Sequence, residues 1–264
     1  MQYSTFAAID IGSYDVILEI FEISKKQGIR SVDKICHRME LGKDTYTLGK
    51  IRPEMEEELC RVLADFVRIM EGYRVDAYRA MASSAISEAA NSLYVLGKIR
   101  QLTGLSVTVL SNSEQRFLGY KALAAMEDNF NKVIEKGTAI LDLDGGSFQI
   151  SLFDKDALVT TQNIRMGSLR VRERLAGIQS ETEHYEEMVE ELIWNEVSSF
   201  KKMYLKDRKI ENIMLIGDVF TDSVYQNIEE KTTKIISREN FNTWYEKIIR
   251  QSPMELAVKL GIPL

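Results

Sequence analysis

Two short segments of this sequence carry residue types that can hold a phosphate group. They read Ile9-Asp10-Ile11-Gly12-Ser13 and Leu141-Asp142-Leu143-Asp144-Gly145-Gly146-Ser147. Each passes from an apolar strand pattern through an aspartate into a glycine turn, and an alternating strand pattern follows. Such a turn can aim backbone N–H groups at an anion, while the nearby carboxylate holds a divalent cation or orients a water molecule. Because the device occurs in both halves of the chain, it predicts two lobes that face one ligand.

Five segments, in this order, resemble the exopolyphosphatase/guanosine pentaphosphate phosphohydrolase (Ppx/GppA) family of the actin–hexokinase–Hsp70 superfamily. They are 8–13, the first phosphate motif; 82–91, similar to A-T-S-A-x-R-E-A-x-N; 109–115, similar to V-I-S-G-x-E-E; 142–149, similar to D-I-G-G-G-S-T-E; and 166–170, similar to L-G-A-V-R. The resemblance spans nearly the whole chain. It implies an α/β fold of two actin-like (ribonuclease H-like) lobes of mixed sheet, with flanking helices and an interlobe cleft. Larger family members continue beyond the point where this sequence stops, and whether a C-terminal domain is missing stays open.

The resemblance also implies a set of site residues. Polyphosphate or guanosine pentaphosphate would bind in the cleft, with Mg²⁺ or Mn²⁺ as the cofactor of an active enzyme. The implied phosphate-binding residues are Gly12, Ser13, Gly145, Gly146, Ser147 and Arg170, the implied metal ligands are Asp10, Asp142 and Asp144, and the implied catalytic positions are Glu114, Gln115 and Gln149.

The catalytic positions depart from the family's pattern. The glutamate that activates the attacking water falls on Gln115, and a second family glutamate falls on Gln149. An amide cannot accept a proton, so general-base catalysis is lost at those positions. Glu114 is adjacent to Gln115, but neighbouring residues on a helix point about 100° apart. An alignment shifted by one residue would make Glu114 the base, and that alternative stays open.

The phosphate-facing turns have each gained an acid. Tyr14-Asp15 stands where the family has Asn-Ser, Asp144 replaces a glycine, Gly217-Asp218-Val219 replaces Gly-Gly-Thr, and Ser87 replaces an arginine. Near a polyanion each aspartate would repel by about 1 kcal/mol or more. Singly, these are tolerated aspartates in turns. Together they favour an altered ligand chemistry, or a divalent cation that masks the added charge.

The pattern of apolar residues predicts the elements that must position this site. It indicates helices at 53–70, 84–99, 113–126 and 185–203, the last with an apolar core face, and strands at 5–11, 16–20, 29–39, 76–82, 107–110, 138–142, 148–152 and 213–216. Gly104 is expected to end the second helix. The lobe boundary is placed in a polar stretch, which gives lobes at 1–125 and 126–264.

Composition narrows the function classes. The 264 residues are 45% hydrophobic with a net charge of −6, so a basic footprint for nucleic acid is absent. Cys36 and Cys60 fall in no metal-ligand spacing, which favours reduced thiols in a cytoplasmic protein. The sequence has no apolar run near the roughly 20 residues of a membrane span.

Three functions remain. The first is a phosphoanhydride hydrolase of the exopolyphosphatase type, with Glu114 as substitute base. The second is a catalytically impaired relative that binds a nucleotide, polyphosphate or a protein partner and acts as a sensor or scaffold. For either function, homodimerisation stays open. The third, an actin-like ATPase or sugar kinase, ranks lowest because the segments at 82–91 and 109–115 match the phosphatase branch.

Overall fold

A computed structural model describes residues 3–26, 28–126, 130–177, 184–206, 208–216, 237–252 and 254–256. The elements in chain order are β1 (Ser4–Ile11), β2 (Asp15–Ser24), β3 (Gly28–Arg38), α1 (Leu41–Leu48), α2 (Pro53–Gly72), β4 (Ala77–Ala82), α3 (Ser84–Ser87), α4 (Ser92–Thr103), β5 (Val107–Val109), α5 (Asn112–Met126), α6 (Phe130–Ile134), β6 (Thr138–Leu143), β7 (Phe148–Asp154), β8 (Ala157–Ile164), α7 (Ser168–Leu175), α8 (Tyr185–Tyr204), β9 (Asn212–Ile216) and α9 (Arg238–Ile249). The third predicted turn, at 217–219, lies outside the described residues.

The first sheet has the strand order β3-β2-β1-β4-β5. β1 and β2 form an antiparallel hairpin, while β4 runs parallel to β1 on its other side. The alternating residues Ala7, Ile9 and Ile11 are at most 1% exposed, because this face of β1 packs into the core. The short hairpin turn therefore emerges at the end of a buried strand.

Helix α2 covers this core. Pro53 occupies its first turn, where the missing N–H costs nothing. Leu59, Leu63, Phe66 and Met70 recur at helical spacing and are all buried, as the periodicity predicts.

The predicted helix at 84–99 is divided in the structure into α3 and α4. The Asn91 side-chain amide donates to the carbonyl oxygen of Ile51 (2.8 Å), and its oxygen accepts from Ile51 N–H (3.0 Å). Ala90 N–H likewise donates to the carbonyl oxygen of Gly49. The bond from Ala90 N–H takes the place of a helical bond, and the helix is interrupted between α3 and α4. Gly104 ends α4 with a positive φ of 73°, as expected.

The second sheet repeats the arrangement of the first, with the order β8-β7-β6-β9 and β9 parallel to β6. Its core contains Phe130, Ile140 and Phe153, and Tyr120 packs edge-on against Phe153. The chain divides into two compact units. Unit 1 comprises Met1–Leu118, Asp144–Phe148 and Asn163–Ser199, and unit 2 comprises Gly119–Leu143, Gln149–Gln162 and Phe200–Leu264. The predicted α/β fold with two actin-like mixed sheets is confirmed.

Candidate functional site

The first glycine turn lies between β1 and β2 and places Ser13 in the interior of unit 1. Gly12 N–H donates to the carbonyl oxygen of Asp15 at 2.9 Å, which closes the turn. A β-carbon on Gly12 would lie 3.1 Å from that oxygen, so the close approach of the Asp15 backbone favours glycine at this position. Ser13 is 3% exposed, and its carbonyl oxygen accepts from Gly42 N–H (2.8 Å) in α1. The start of α1 is therefore fixed to this turn.

The second glycine turn follows β6 and is closed by the side chain of Asp144. Gly146 N–H donates to Asp144 Oδ1 at 2.6 Å, and Asp144 N–H donates to the carbonyl oxygen of Ser147 at 3.0 Å. This is an Asx-type turn, in which a side-chain oxygen takes the place of a backbone acceptor. A β-carbon on Gly145 would lie 3.3 Å from the β-carbon of Ser13. The two predicted glycine turns are thus in contact within unit 1.

The N-terminus of α7 packs on the second turn. A β-carbon on Gly167 would overlap the carbonyl oxygen of Asp144, so only glycine fits there without displacement. Ser168 N–H donates to that oxygen (3.2 Å), and Arg170 N–H donates to the carbonyl oxygen of Gly145 (3.1 Å). These bonds satisfy carbonyl groups of the turn and fix the backbone of Arg170 beside it.

The side chain of Arg170 contacts three features of the site. Its Nε–H donates to the carbonyl oxygen of Gly146 at 2.9 Å, and its Nη2 lies 3.1 Å from a carboxylate oxygen of Glu88. The guanidinium carbon also sits 3.7 Å from the centre of the Tyr46 ring, close enough for a cation–π interaction. Arg170 therefore lies beside the second glycine turn with its charge paired to Glu88, and its phosphate-binding role stays a prediction.

The neighbouring arginine of α7, Arg172, binds two other carboxylates. Its guanidinium donates to both carboxylate oxygens of Glu40, at 2.8 and 2.5 Å, and to Glu173 at 2.9 Å. The hydrogen bond from Arg172 is the main cause that lowers the pKa of Glu40. Arg172 is therefore part of an ion pair within unit 1.

Three hydroxyl groups meet where the two glycine turns touch, and we refer to Ser13, Tyr46 and Ser84 as the hydroxyl cluster. The Tyr46 oxygen lies 2.6 Å from Ser13 Oγ and 2.9 Å from Ser84 Oγ, and the two serine oxygens are 3.3 Å apart. Burial raises the pKa of Tyr46, so its hydroxyl stays protonated at neutral pH. The sequence motifs pointed to Ser13 as a site residue but not to the other two members.

Asp144 and Gln115 form a second polar contact at the same turn. Gln115 is half-buried on α5, and its side-chain amide donates a hydrogen bond to the Asp144 carboxylate. Burial raises the pKa of Asp144, while the hydrogen bonds from Gly146, Gln115 and Ser147 and the charge of Arg170 oppose that rise. Gln115, which stands where the family's pattern has a glutamate, thus donates a hydrogen bond to Asp144, which stands where that pattern has a glycine.

Glu114 caps its own helix. Its carboxylate accepts from Ser111 N–H (2.9 Å) and from the Ser111 hydroxyl (2.7 Å), and Glu114 N–H donates back to Ser111 Oγ (3.2 Å). This reciprocal pattern is a capping box. The bonds from Ser111 lower the pKa of Glu114, and the side chain is exposed. The base role of Glu114 stays a prediction.

The remaining predicted residues lie on three different strands. Asp10 lies on β1, Asp142 on β6 and buried Gln149 on β7. Within the described ranges, no group of three or more His, Cys, Asp or Glu side chains could hold a metal ion. The carboxylate of Asp144 accepts hydrogen bonds from a side-chain amide and two backbone N–H groups, and its metal role stays a prediction. Asp10 and Asp142 stay predicted ligands.

Comparisons with known proteins agree on the family. The profile of the Ppx/GppA phosphatase family matches residues 19–260. A bifunctional 3-dehydroquinate synthase/phosphatase of Fusobacterium nucleatum is 21% identical over 238 residues, covering 85% of this chain and 34% of that protein. Exopolyphosphatase 1 of Mycobacterium leprae is 25% identical over 144 residues, 54% of this chain and 41% of that protein. The chain thus matches less than half the length of these curated relatives.

A solved structure confirms the fold. The exopolyphosphatase of Cytophaga hutchinsonii superposes with a TM-score of 0.77 at 18% identity, covering 96% of this chain and 82% of that one. Among the described residues, no helix is long and apolar enough to cross a membrane.

Proposed function

Because this chain belongs to the Ppx/GppA phosphatase family, we propose that its paired glycine turns bind phosphoryl groups of polyphosphate or guanosine pentaphosphate. The observation that carries the proposal is the contact between the two turns, with Gly145 against Ser13. Arg170 is anchored at the same place through the carbonyl oxygen of Gly146. Hydroxyl groups, turn N–H groups and a guanidinium are the donors that phosphate accepts from in proteins.

Hydrolysis of a phosphoanhydride also needs a group that takes a proton from the attacking water. The amides of Gln115 and Gln149 cannot accept this proton. The carboxylate of Glu114, adjacent to Gln115, is the candidate base. It would act by exchanging its bonds to Ser111 for a bond to water. A bound Mg²⁺ or Mn²⁺, with Asp10 and Asp142 as its candidate ligands, would offset the charge of the substrate.

A second candidate function, ligand binding without turnover, is supported by the state of the same side chains. Gln115 donates to Asp144 and Glu114 is engaged as a helix cap. Arg170 is paired with Glu88. Each of these bonds stabilises the local fold, and none of them requires that the chain perform hydrolysis.

The test is phosphate release from long-chain polyphosphate and from pppGpp, with Mg²⁺ or Mn²⁺, beside the variants Glu114→Gln and Gln115→Glu. Glu54→Gln is the matched control, because Glu54 is an exposed glutamate in the first turn of another helix. Metal-dependent release that is lost in Glu114→Gln but kept in Glu54→Gln supports a hydrolase with Glu114 as its base. Release that survives in both variants leaves Glu114 as a cap alone.

Binding should be measured on the same preparations by calorimetry with tripolyphosphate. Binding without release by the wild type supports the second candidate, particularly where Gln115→Glu restores release. If the wild type shows neither binding nor release, with or without metal, the proposed function of the chain as it stands is refuted.

A further inference from the structure

We propose that Tyr46 is an internal occupant of this site: its hydroxyl fills the place of a phosphoryl oxygen between the glycine turns, so a phosphorylated ligand must displace it. Tyr46 then determines which anions the site accepts. The inference rests on the proposed phosphate site and adds to it a residue that controls access.

The hydrogen bonds of the hydroxyl cluster carry the first step. Ser13 and Ser84 both bond to the Tyr46 hydroxyl, at 2.6 and 2.9 Å. A phosphate oxygen would seek these same serine donors, since hydroxyl groups bind well to anionic acceptors. While Tyr46 is in place, the hydroxyl groups of Ser13 and Ser84 are hydrogen-bonded to the Tyr46 hydroxyl and to each other.

Contact with the second turn carries the next step. A β-carbon on Gly146 would overlap the Tyr46 hydroxyl oxygen and would lie 2.5 Å from Ser84 Oγ. The hydroxyl cluster therefore fills the space that a side chain on Gly146 would occupy. An anion that approached the Gly146 backbone closely would have to occupy the same volume.

The ring of Tyr46 is held on both sides. A β-carbon on Gly42 would lie 2.6 Å from Tyr46 Cε2, so α1 packs closely against the ring at this point. The guanidinium of Arg170 covers the ring at 3.7 Å, while the same group is paired with Glu88. Moving Tyr46 thus disturbs the arginine that would clamp a phosphate, and a weakly charged anion gains too little to drive the exchange.

The opposite role for Tyr46, as a donor to the ligand, predicts a change of opposite sign. A donor adds to affinity, so its removal would weaken binding by about fivefold, the worth of one net hydrogen bond. An occupant competes with the ligand, so its removal would strengthen binding. The direction of the change in affinity therefore decides between the two.

The experiment is calorimetric titration of the full chain with tripolyphosphate, for the wild type, Tyr46→Phe and Tyr46→Ala. Tyr46→Phe keeps the ring under Arg170 and removes only the hydroxyl, so we expect affinity to rise about fivefold. Tyr46→Ala also vacates the ring volume, and we expect a rise of about tenfold or more. Tyr94→Phe, at an exposed tyrosine on α4, is the control and should match the wild type.

The outcomes separate this inference from the proposed function. Binding by the wild type that is unchanged or weaker in Tyr46→Phe overturns the occupant role and leaves the phosphate site standing. Binding that appears only in the Tyr46 variants supports the inference in its strongest form. No binding by any variant, including Tyr46→Phe with a wild-type circular dichroism spectrum, overturns both.

Discussion

Replacing Asp144 by asparagine should strengthen anion binding, because it removes a negative charge from the turn while keeping the turn's shape. The asparagine oxygen can still accept from Gly146 N–H, which lies 2.6 Å from Asp144 Oδ1. The amide of Gln115, which now donates to the carboxylate, can rotate by 180° and accept from the new NH₂ group. The substitution therefore changes charge with little change in packing.

The size of the effect follows from Coulomb's law. A carboxylate about 6 Å from one phosphate charge repels it by about 3 kcal/mol at an effective dielectric constant of about 20. Solvent and dissolved ions screen part of this repulsion. We expect a net gain of about 1.4 kcal/mol, which is about tenfold in affinity.

The same substitution should change the dependence of stability on pH. The pKa of Asp144 is higher in the folded chain than in the unfolded chain, so folding holds the proton more tightly. The wild type therefore loses stability as pH rises from the unfolded pKa through the folded pKa, and the loss is complete above the latter. Asparagine does not titrate, so Asp144→Asn does not lose stability over this pH range. The difference in free energy of unfolding between the variant and the wild type should therefore grow across that window and vanish in acid.

Calorimetry with tripolyphosphate and urea unfolding, each at several pH values, measure both effects. The ratio of wild-type to variant affinity at each pH cancels the titration of the ligand. Asp65→Asn, which makes the same charge change at an exposed position on α2, is the control. A variant that binds no more tightly than Asp65→Asn would refute the argument that the charge of Asp144 acts on the site.

Three further predictions concern stability. Gly146→Ala should lower the free energy of unfolding by about 2 kcal/mol, because its methyl group would overlap the Tyr46 hydroxyl. Calorimetric melting should show that part of this loss is recovered in the double variant with Tyr46→Ala. Asp44→Ala should cost about 2 to 3 kcal/mol in urea unfolding, because this buried carboxylate accepts from the backbone and side chain of Arg52. Arg52→Ala keeps the backbone bond and should also lower stability, and no loss in either variant would contradict the pair. Glu40→Gln should lower the free energy of unfolding by about 0.5 to 1 kcal/mol at neutral pH. Because the ion pair with Arg172 lowers the pKa of Glu40, the difference from the wild type should disappear as pH falls below that pKa. A difference that persists in acid would argue against the ion pair.

The parts of the fold that the sequence predicts are those set by local pattern. Strands β1 and β2 around Gly12 and the strands around Gly145 follow from apolar alternation interrupted by glycine. The capping box also has a sequence signal, because Ser111 and Glu114 stand at the S-x-x-E spacing that marks a helix start. That spacing by itself favours a cap over a catalytic base at Glu114.

Other features depend on contacts between distant residues. Tyr46 lies in α1, an eight-residue helix that the pattern did not predict, and its hydroxyl meets residues 33 and 38 positions away in sequence. Helix α8 was predicted with an apolar core face, but only Phe200 of its residues is buried, and Trp194 and Met203 are more than half exposed. Periodicity identifies the apolar face of a helix, but it does not show how much of that face another element covers.

The polar groups of the candidate site are arranged so that each already has an internal partner. Ser13 is bonded to Tyr46, Asp144 to Gln115, and Arg170 to Glu88. A ligand therefore gains only the difference between its own bonds and the internal bonds it replaces, about 0.5 to 1.5 kcal/mol for a neutral hydrogen bond and more for a charged one. Inorganic phosphate offers few charges against that exchange, whereas a chain of phosphates brings several charges to one guanidinium and one hydroxyl cluster. The site should therefore discriminate by chain length, and tripolyphosphate should bind measurably at concentrations where inorganic phosphate does not.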